Sequence, residues 1–173
     1  MDLFEAIEKR RSVRQFDKDK PVGDEIVKKI LEAGVLAPSA GNGQCWRFYV
    51  VRDPKIKHRL ALEAGHQLFI EHAPVAIVVC ADLHLAEERY GERGRKTYAL
   101  QDTSAAIENM LLAATALDLA SCWIGAFDES IASEILGLPK HIRPVAMLSI
   151  GVPAEATHRM PKRRKIEEVA EFR

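Results

Sequence analysis

Ala105-Ala106-Ile107-Glu108-Asn109-Met110-Leu111-Leu112-Ala113-Ala114-Thr115-Ala116-Leu117-Asp118-Leu119-Ala120-Ser121-Cys122-Trp123-Ile124-Gly125 is the stretch on which the fold turns. Residues 98–119 repeat apolar side chains at helical spacing on nearly every side, and a helix of that kind is buried in a core or in a contact between subunits. At about six turns it is too long for one small domain to surround. The pattern therefore predicts that the helix contributes to an interface. Residues 121–127 then read as a buried strand closing on a glycine.

Working outward, residues 73–81 (Ala73-Pro74-Val75-Ala76-Ile77-Val78-Val79-Cys80-Ala81) form a second, almost continuous apolar run, as expected of a central strand covered on both faces. Strands are also expected at residues 47–51 and 145–150. Helices are expected at residues 2–11, with Asp2 as cap, and at residues 24–36, ending at Pro38. Further helices are expected at residues 53–62, opened by Asp53-Pro54, and at 129–136, capped by Asp128, with a short helical piece at 67–70. Residues 82–97 carry Glu87, Glu88, Arg89, Glu92, Arg93, Arg95 and Lys96 around two glycines and read as a solvated helix and loop. Strands alternating with helices indicate an α/β or α+β fold, and pattern alone does not order the strands.

Length and charge narrow the function classes. The 173 residues fit one domain, and 25 basic residues balance 25 acidic ones, so no general electrostatic footprint for nucleic acid exists. The longest stretch without a charge, residues 33–46, falls well short of the roughly 20 apolar residues of a membrane helix. The acidic, amphipathic start at Met1-Asp2-Leu3-Phe4-Glu5 is unlike a secretory signal and predicts a cytoplasmic protein. Cys45, Cys80 and Cys122 form no C-x-x-C pair and are expected as reduced thiols. The six histidines (His58, His66, His72, His84, His141, His158) lack metal-ligand spacing, so no metal site is expected.

Two stretches look built for a ligand. Arg10-Arg11-Ser12-Val13-Arg14-Gln15-Phe16 gathers guanidinium forks, which match phosphate oxygens, around a hydroxyl; a solvated basic face is the alternative. Pro38-Ser39-Ala40-Gly41-Asn42-Gly43-Gln44-Cys45-Trp46 is a loop of small and polar residues. It would let a backbone approach a flat ligand, or it is an ordinary turn rich in Gly and Asn.

Taken together, these segments resemble the FMN-dependent nitroreductase family along essentially the whole chain, as a small member with few insertions. Four places carry the resemblance in order: residues 10–16, residues 38–46, residues 102–119 running into Ser121-Cys122-Trp123-Ile124-Gly125, and the basic tail Pro161-Lys162-Arg163-Arg164-Lys165-Ile166-Glu167-Glu168-Val169. The resemblance implies an α+β fold, with a central, mostly antiparallel sheet flanked by helices, and an intertwined homodimer holding FMN at each subunit interface. Residues 1–173 would form one domain, with residues 158–173 reaching over the partner. NADH or NADPH would donate a hydride to the flavin, which would pass it to a nitroaromatic, quinone or other electron-poor small molecule.

The resemblance also implies site residues. Arg10, Arg11, Arg14 and Arg164, with Ser12, are implied for the phosphate and polar edge. Pro38, Ser39 and Ala40, with Asn42 close by, would come from the partner chain; Gln67 would address the pyrimidine edge, and the backbone of Trp123, Ile124 and Gly125 would face the ring. No side chain is implied as general acid or base. Flavin-consuming and reductive dehalogenating relatives share the scaffold, and a non-catalytic FMN-binding module is a third reading. Cys45 stands where many members carry a second proline, as a redox-active thiol or an inert buried one.

Overall fold

The computed structural model describes residues 1–154 and 160–173; His158 and Arg159 of the expected tail lie outside the described residues. Along the chain the elements are α1 (Leu3–Lys9), α2 (Asp24–Val35), β1 (Trp46–Val51), α3 (Pro54–Arg59), α4 (Phe69–His72), β2 (Val75–Asp82), α5 (Leu83–Arg93), α6 (Ala99–Ala116), β3 (Ala120–Ile124), α7 (Glu129–Leu136) and β4 (Ile142–Gly151). The four strands make one sheet in the order β1-β2-β4-β3, and all three pairings are antiparallel.

All eight residues of β2 are buried, because alternate side chains enter two separate cores. Val75, Ile77 and Val79 meet Val27 and Ile30 of α2 and Ile107, Met110 and Leu111 of α6. Ala76, Val78 and Cys80 face Leu60, Ala61, Ile70 and Ala132 on the opposite side. The sheet is thus the middle layer between α2 with α6 and α3, α4 with α7. This is why β2 reads as a continuous apolar run instead of an alternating one.

Capping follows the sequence closely. Asp2 and Glu5 form a reciprocal capping box at the start of α1. Asp53 accepts from the N–H groups of Lys55 (2.7 Å) and Ile56 (3.2 Å), and Asp128 from those of Ser130 and Ile131 (both 2.9 Å). Boundaries differ in several places: the strand expected at 121–127 runs from Ala120 to Ile124, and the helix expected to reach 119 ends at Ala116. The helix expected at 53–62 ends at Arg59 and continues as a π-helical turn, Leu60–Ala64. The short piece expected at 67–70 is displaced to Phe69–His72. The helix expected from residue 98 begins at Ala99, after a π-helical turn at Gly94–Tyr98. β4 starts three residues earlier than expected, at Ile142.

Pro144 lies inside β4, where a sequence reading places a strand start. It is tolerated because β3 pairs only with residues 147–151, so at Pro144 that side of β4 has no neighbouring strand to receive an N–H. On the other side the register shifts at Val79/Cys80, leaving Val145 as the extra residue of a bulge. At the far end, residues 12 and 13 lie along β3, with the Val13 N–H donating to Ser121 O at 2.9 Å. The arginine stretch is thereby fixed to the end of the sheet.

The apolar surplus of α6 is only half absorbed. Its buried face carries Ala99, Asp102, Thr103, Ala106, Ile107, Met110, Leu111 and Ala114. Leu112, Ala113 and Ala116 instead line an open groove with Leu3, Ala33 and Leu36, and Leu36 is 82% exposed. No helix among the described residues is long and apolar enough to cross a membrane.

Two predictions test this packing. Ile107, fully buried between α6 and the sheet, should cost about 2–5 kcal/mol when replaced by alanine, read from urea denaturation of the purified protein. The second concerns Asp128, whose carboxyl is held below its usual range first by the Ser130 hydroxyl and next by the Ile131 N–H. A native pKa below the unfolded one contributes stability above the ordinary carboxylate range and loses it as pH falls through the native value. Asp128→Asn keeps the acceptor without the titration. It should flatten the acid side of the midpoint-versus-pH curve, and parallel curves would contradict the assignment.

Candidate functional site

The arginine stretch and the end of β3 meet at one corner of the sheet. Arg14 lies over the Phe69 ring, 5.7 Å from its centroid, and has no carboxylate within 4.0 Å among the described residues. The Ser12 hydroxyl and Arg14 both bear on Cys122. Burial pushes that thiol up, while Arg14's charge and a hydrogen bond with Ser12 pull it down. Gln67 reaches the same corner, its Nε2 donating to Ala126 O at 3.4 Å. Arg10 flanks it, held loosely by Glu108 of α6 at 3.6 Å.

Along β3, Ile124 points into the core while Trp123 and Gly125 are exposed. A Cβ built at Gly125 would meet only Trp123 Nε1, at 3.7 Å, so the strand end is open to a flat ligand. The donor set here consists of a free guanidinium, a hydroxyl, a carboxamide and an open backbone edge. These are the groups that phosphate oxygens and the polar rim of a flavin require, so the residues fit FMN.

The Pro38 loop lies at the opposite corner. Trp46, where the loop enters the sheet, pairs with Ala81, whereas Ser121 is level with Ile150 and hence with Val75. Three strand spacings and six residues along β2 separate these corners by roughly 25 Å. Within one chain the structure therefore does not bring Pro38, Ser39, Ala40 and Asn42 to Arg14 and Gln67.

The loop itself is tightly determined. Ala40–Asn42 forms a 3-10 turn, and Gly41, Asn42 and Gln44 all adopt left-handed backbone angles (φ 55°, 57° and 48°). At Gly41 a Cβ would come within 2.6 Å of the Arg89 guanidinium and the Tyr90 hydroxyl of α5, ends of side chains that can shift, so it is the left-handed φ that favours glycine. Ser39 Oγ accepts from the Gln44 N–H at 3.1 Å, and Gln44 Nε2 donates to Asn42 Oδ1 at 3.2 Å.

Three other expectations meet different surroundings. Arg11 has contacts of its own: its guanidinium donates to Lys9 O at 2.9 Å and lies 3.3 Å from Met160 Sδ, and its buried Nε has no partner among the described residues. Arg164 makes its contacts within the tail itself. It pairs with Glu168 at 3.2 Å and donates to the Glu168 carbonyl at 2.7 Å. Cys45 is 1% exposed and its thiol is pushed up to about 12, first by burial and then by Asp102, which favours the inert reading over the redox-active one.

Sequence reasoning missed Phe69, which supports Arg14, and Asp102, a 7% exposed carboxylate of α6 that accepts from the Ala40 N–H at 2.9 Å. The signal for Asp102 was present as an acid on the core-facing stripe of an apolar helix, four residues before Ala106.

Comparison with known proteins agrees with this architecture. The model of the Nitroreductase family matches residues 7–66 and 57–152. A Thermus thermophilus protein named NADH dehydrogenase is 36% identical over an alignment of 196 positions, gaps included, covering 96% of this chain and 95% of its own. A Bacillus subtilis protein named FMN reductase (NAD(P)H) is 31% identical over an alignment of 174 positions, gaps included, covering 93% of this chain and 70% of its own. Among solved structures, a nitroreductase family protein from Streptococcus pneumoniae superposes with a TM-score of 0.89 at 26% identity, covering 99% of this chain and all of that one. With the fold, the donor set at the β3 corner and these matches in agreement, the chain belongs to the nitroreductase family.

Proposed function

We propose that the protein is an NAD(P)H-dependent FMN oxidoreductase, acting as a homodimer on a small electron-poor acceptor such as a nitroaromatic or a quinone. The observation that carries this reading is Arg14, a guanidinium free of carboxylates among the described residues, beside the Ser12 hydroxyl, the Gln67 amide and the open end of β3. The names of the Thermus and Bacillus relatives supply the donor and the cofactor. FMN, when bound, supplies a ring nitrogen that accepts a hydride from a nicotinamide and releases it to a second substrate.

The chain's own residues bind and orient. Arg14 and Arg10 give charge-assisted donors to the phosphate and polar edge, with Ser12 as neutral donor. An arginine beside the pyrimidine edge also stabilises the negative charge that gathers there on reduction. Gln67 would address that edge with its carboxamide, and the backbone past Ile124 would face the ring. No side chain is assigned as general acid or base; the proton comes from water.

A second copy completes the site. It brings the Pro38 loop to the corner that the same chain's loop cannot reach, and it covers the groove holding Leu3, Leu36 and Leu112. Residues 1–173 act as one domain whose tail crosses to the partner. Ile166, Val169 and Phe172 lie exposed on their own chain, Phe172 at 96%, and Arg164 exchanges Glu168 for the partner's phosphate site.

The purified protein should be yellow, should bleach with NADH or NADPH, and should recolour with a nitroaromatic or quinone. A colourless protein that takes up no added FMN would remove this reading. Arg14→Ala deletes one charge-assisted contact worth about 1.5–3 kcal/mol and should weaken FMN binding roughly ten- to hundredfold in a fluorescence titration. Leu36→Glu places a charge in the uncovered groove. Light scattering should show it as a monomer with reduced flavin content, whereas a wild-type monomer that holds FMN would refute the shared site.

A further inference from the structure

Asp102 is a buried acid without a counter-charge. Its side chain faces the Pro38 loop from α6, and no Lys, Arg or His nitrogen lies within 4.0 Å of it among the described residues. One oxygen accepts from the Ala40 N–H at 2.9 Å, and the other lies 3.8 Å from the Cys45 thiol, which donates to it. Taking a carboxylate out of water without a counter-charge carries a desolvation cost that its hydrogen bonds must offset. Its placement points to a task other than holding the core together.

The segment it grips explains the task. Three residues of the four at 41–44 sit in the left-handed region, two of them without the freedom of glycine, and such a conformation persists only where the surroundings impose it. Asp102 anchors the first residue of the turn, and Ser39 Oγ anchors its last through the Gln44 N–H. Because Ser39 Oγ accepts inside the loop, its own proton is left to donate outward. The turn of the Ala40 N–H inward, toward Asp102, sets which way Pro38 and Ser39 face.

We propose that Asp102 is a positioning residue for flavin binding: its carboxylate fixes the Pro38–Ser39–Ala40 segment in the shape that meets FMN held by a second copy of the chain. This rests on the FMN reading above and concerns the loop alone. Asp102 touches no cofactor atom and acts through Ala40. The Cys45 thiol serves as its second donor, which gives that buried cysteine a structural use.

Three variants of the full-length holoprotein test the inference, each followed by thermal unfolding and by the recovery of flavin fluorescence on dilution. Asp102→Leu removes the acceptor with little change in volume. It should stay folded and lose FMN affinity by about tenfold or more. Asp102→Asn retains an oxygen for the Ala40 N–H and should remain within about threefold of wild type. Val51→Ala lowers the unfolding midpoint from the core on the other face of the sheet, away from α6 and the loop, and should leave FMN affinity unchanged.

Folded Asp102→Leu with wild-type affinity would overturn the proposal, as would a Val51→Ala loss of affinity in proportion to its lost stability. If Asp102→Leu fails to fold, Asp102→Asn decides: a tenfold loss in that folded variant would also overturn it. A wild-type protein that takes up no FMN would instead remove the functional reading on which the inference rests.

Discussion

The contact between α6 and the sheet is the constraint on which both corners of the candidate site depend. Ile107, Met110, Leu111 and Ala114 press against Val75, Ile77, Val79, Leu148 and Ile150 with almost no exposure. Close packing of this kind transmits position along the helix. The N-terminal end of α6 carries Asp102 to the Pro38 loop, and its C-terminal end leads into β3, where Ser121 fixes Val13 and so the arginine stretch. One rigid element therefore sets the geometry at two places about 25 Å apart.

Charge is used sparingly and locally. The chain is neutral overall, and most arginines of the exposed segments are answered by acids: Arg95 by Glu87, Arg143 by Glu129, Arg59 by Glu63. Exposed pairs of this kind add little to stability. Arg14 differs because its neighbour is an aromatic ring, and its charge is left available for a ligand. Burial raises the three thiols, so none offers a thiolate near neutrality, and the reactive chemistry is left to the cofactor that the site is proposed to hold.

Much of the architecture was legible because it follows from local chemistry. Asp2, Asp53 and Asp128 cap helices through neighbours three residues away or fewer, and the apolar run at residues 75–81 could only be a strand covered twice. The misses have local causes too. A π-helical turn adds a residue to a helical ladder without changing composition, so the ends of α3 and α6 were misplaced. Pro144 argued for a strand start, and only the shorter reach of β3 made room for it within β4.

The site divides along the same line. The sequence by itself determined the residue types: guanidinium groups with a hydroxyl at residues 10–14, small polar residues at 38–44, an open glycine at 125, and a helix too apolar for one core. Only the tertiary structure decided which of these share a corner, because strand order and register are set by contacts between residues far apart in the chain. It separated the Pro38 loop from Arg14, turned Arg11 and Arg164 toward other partners, and brought Asp102 against Ala40 across 62 positions. Periodicity could say that Asp102 faced inward. It could not say what would be waiting there, since a buried carboxylate takes its meaning from the donors that the fold delivers to it.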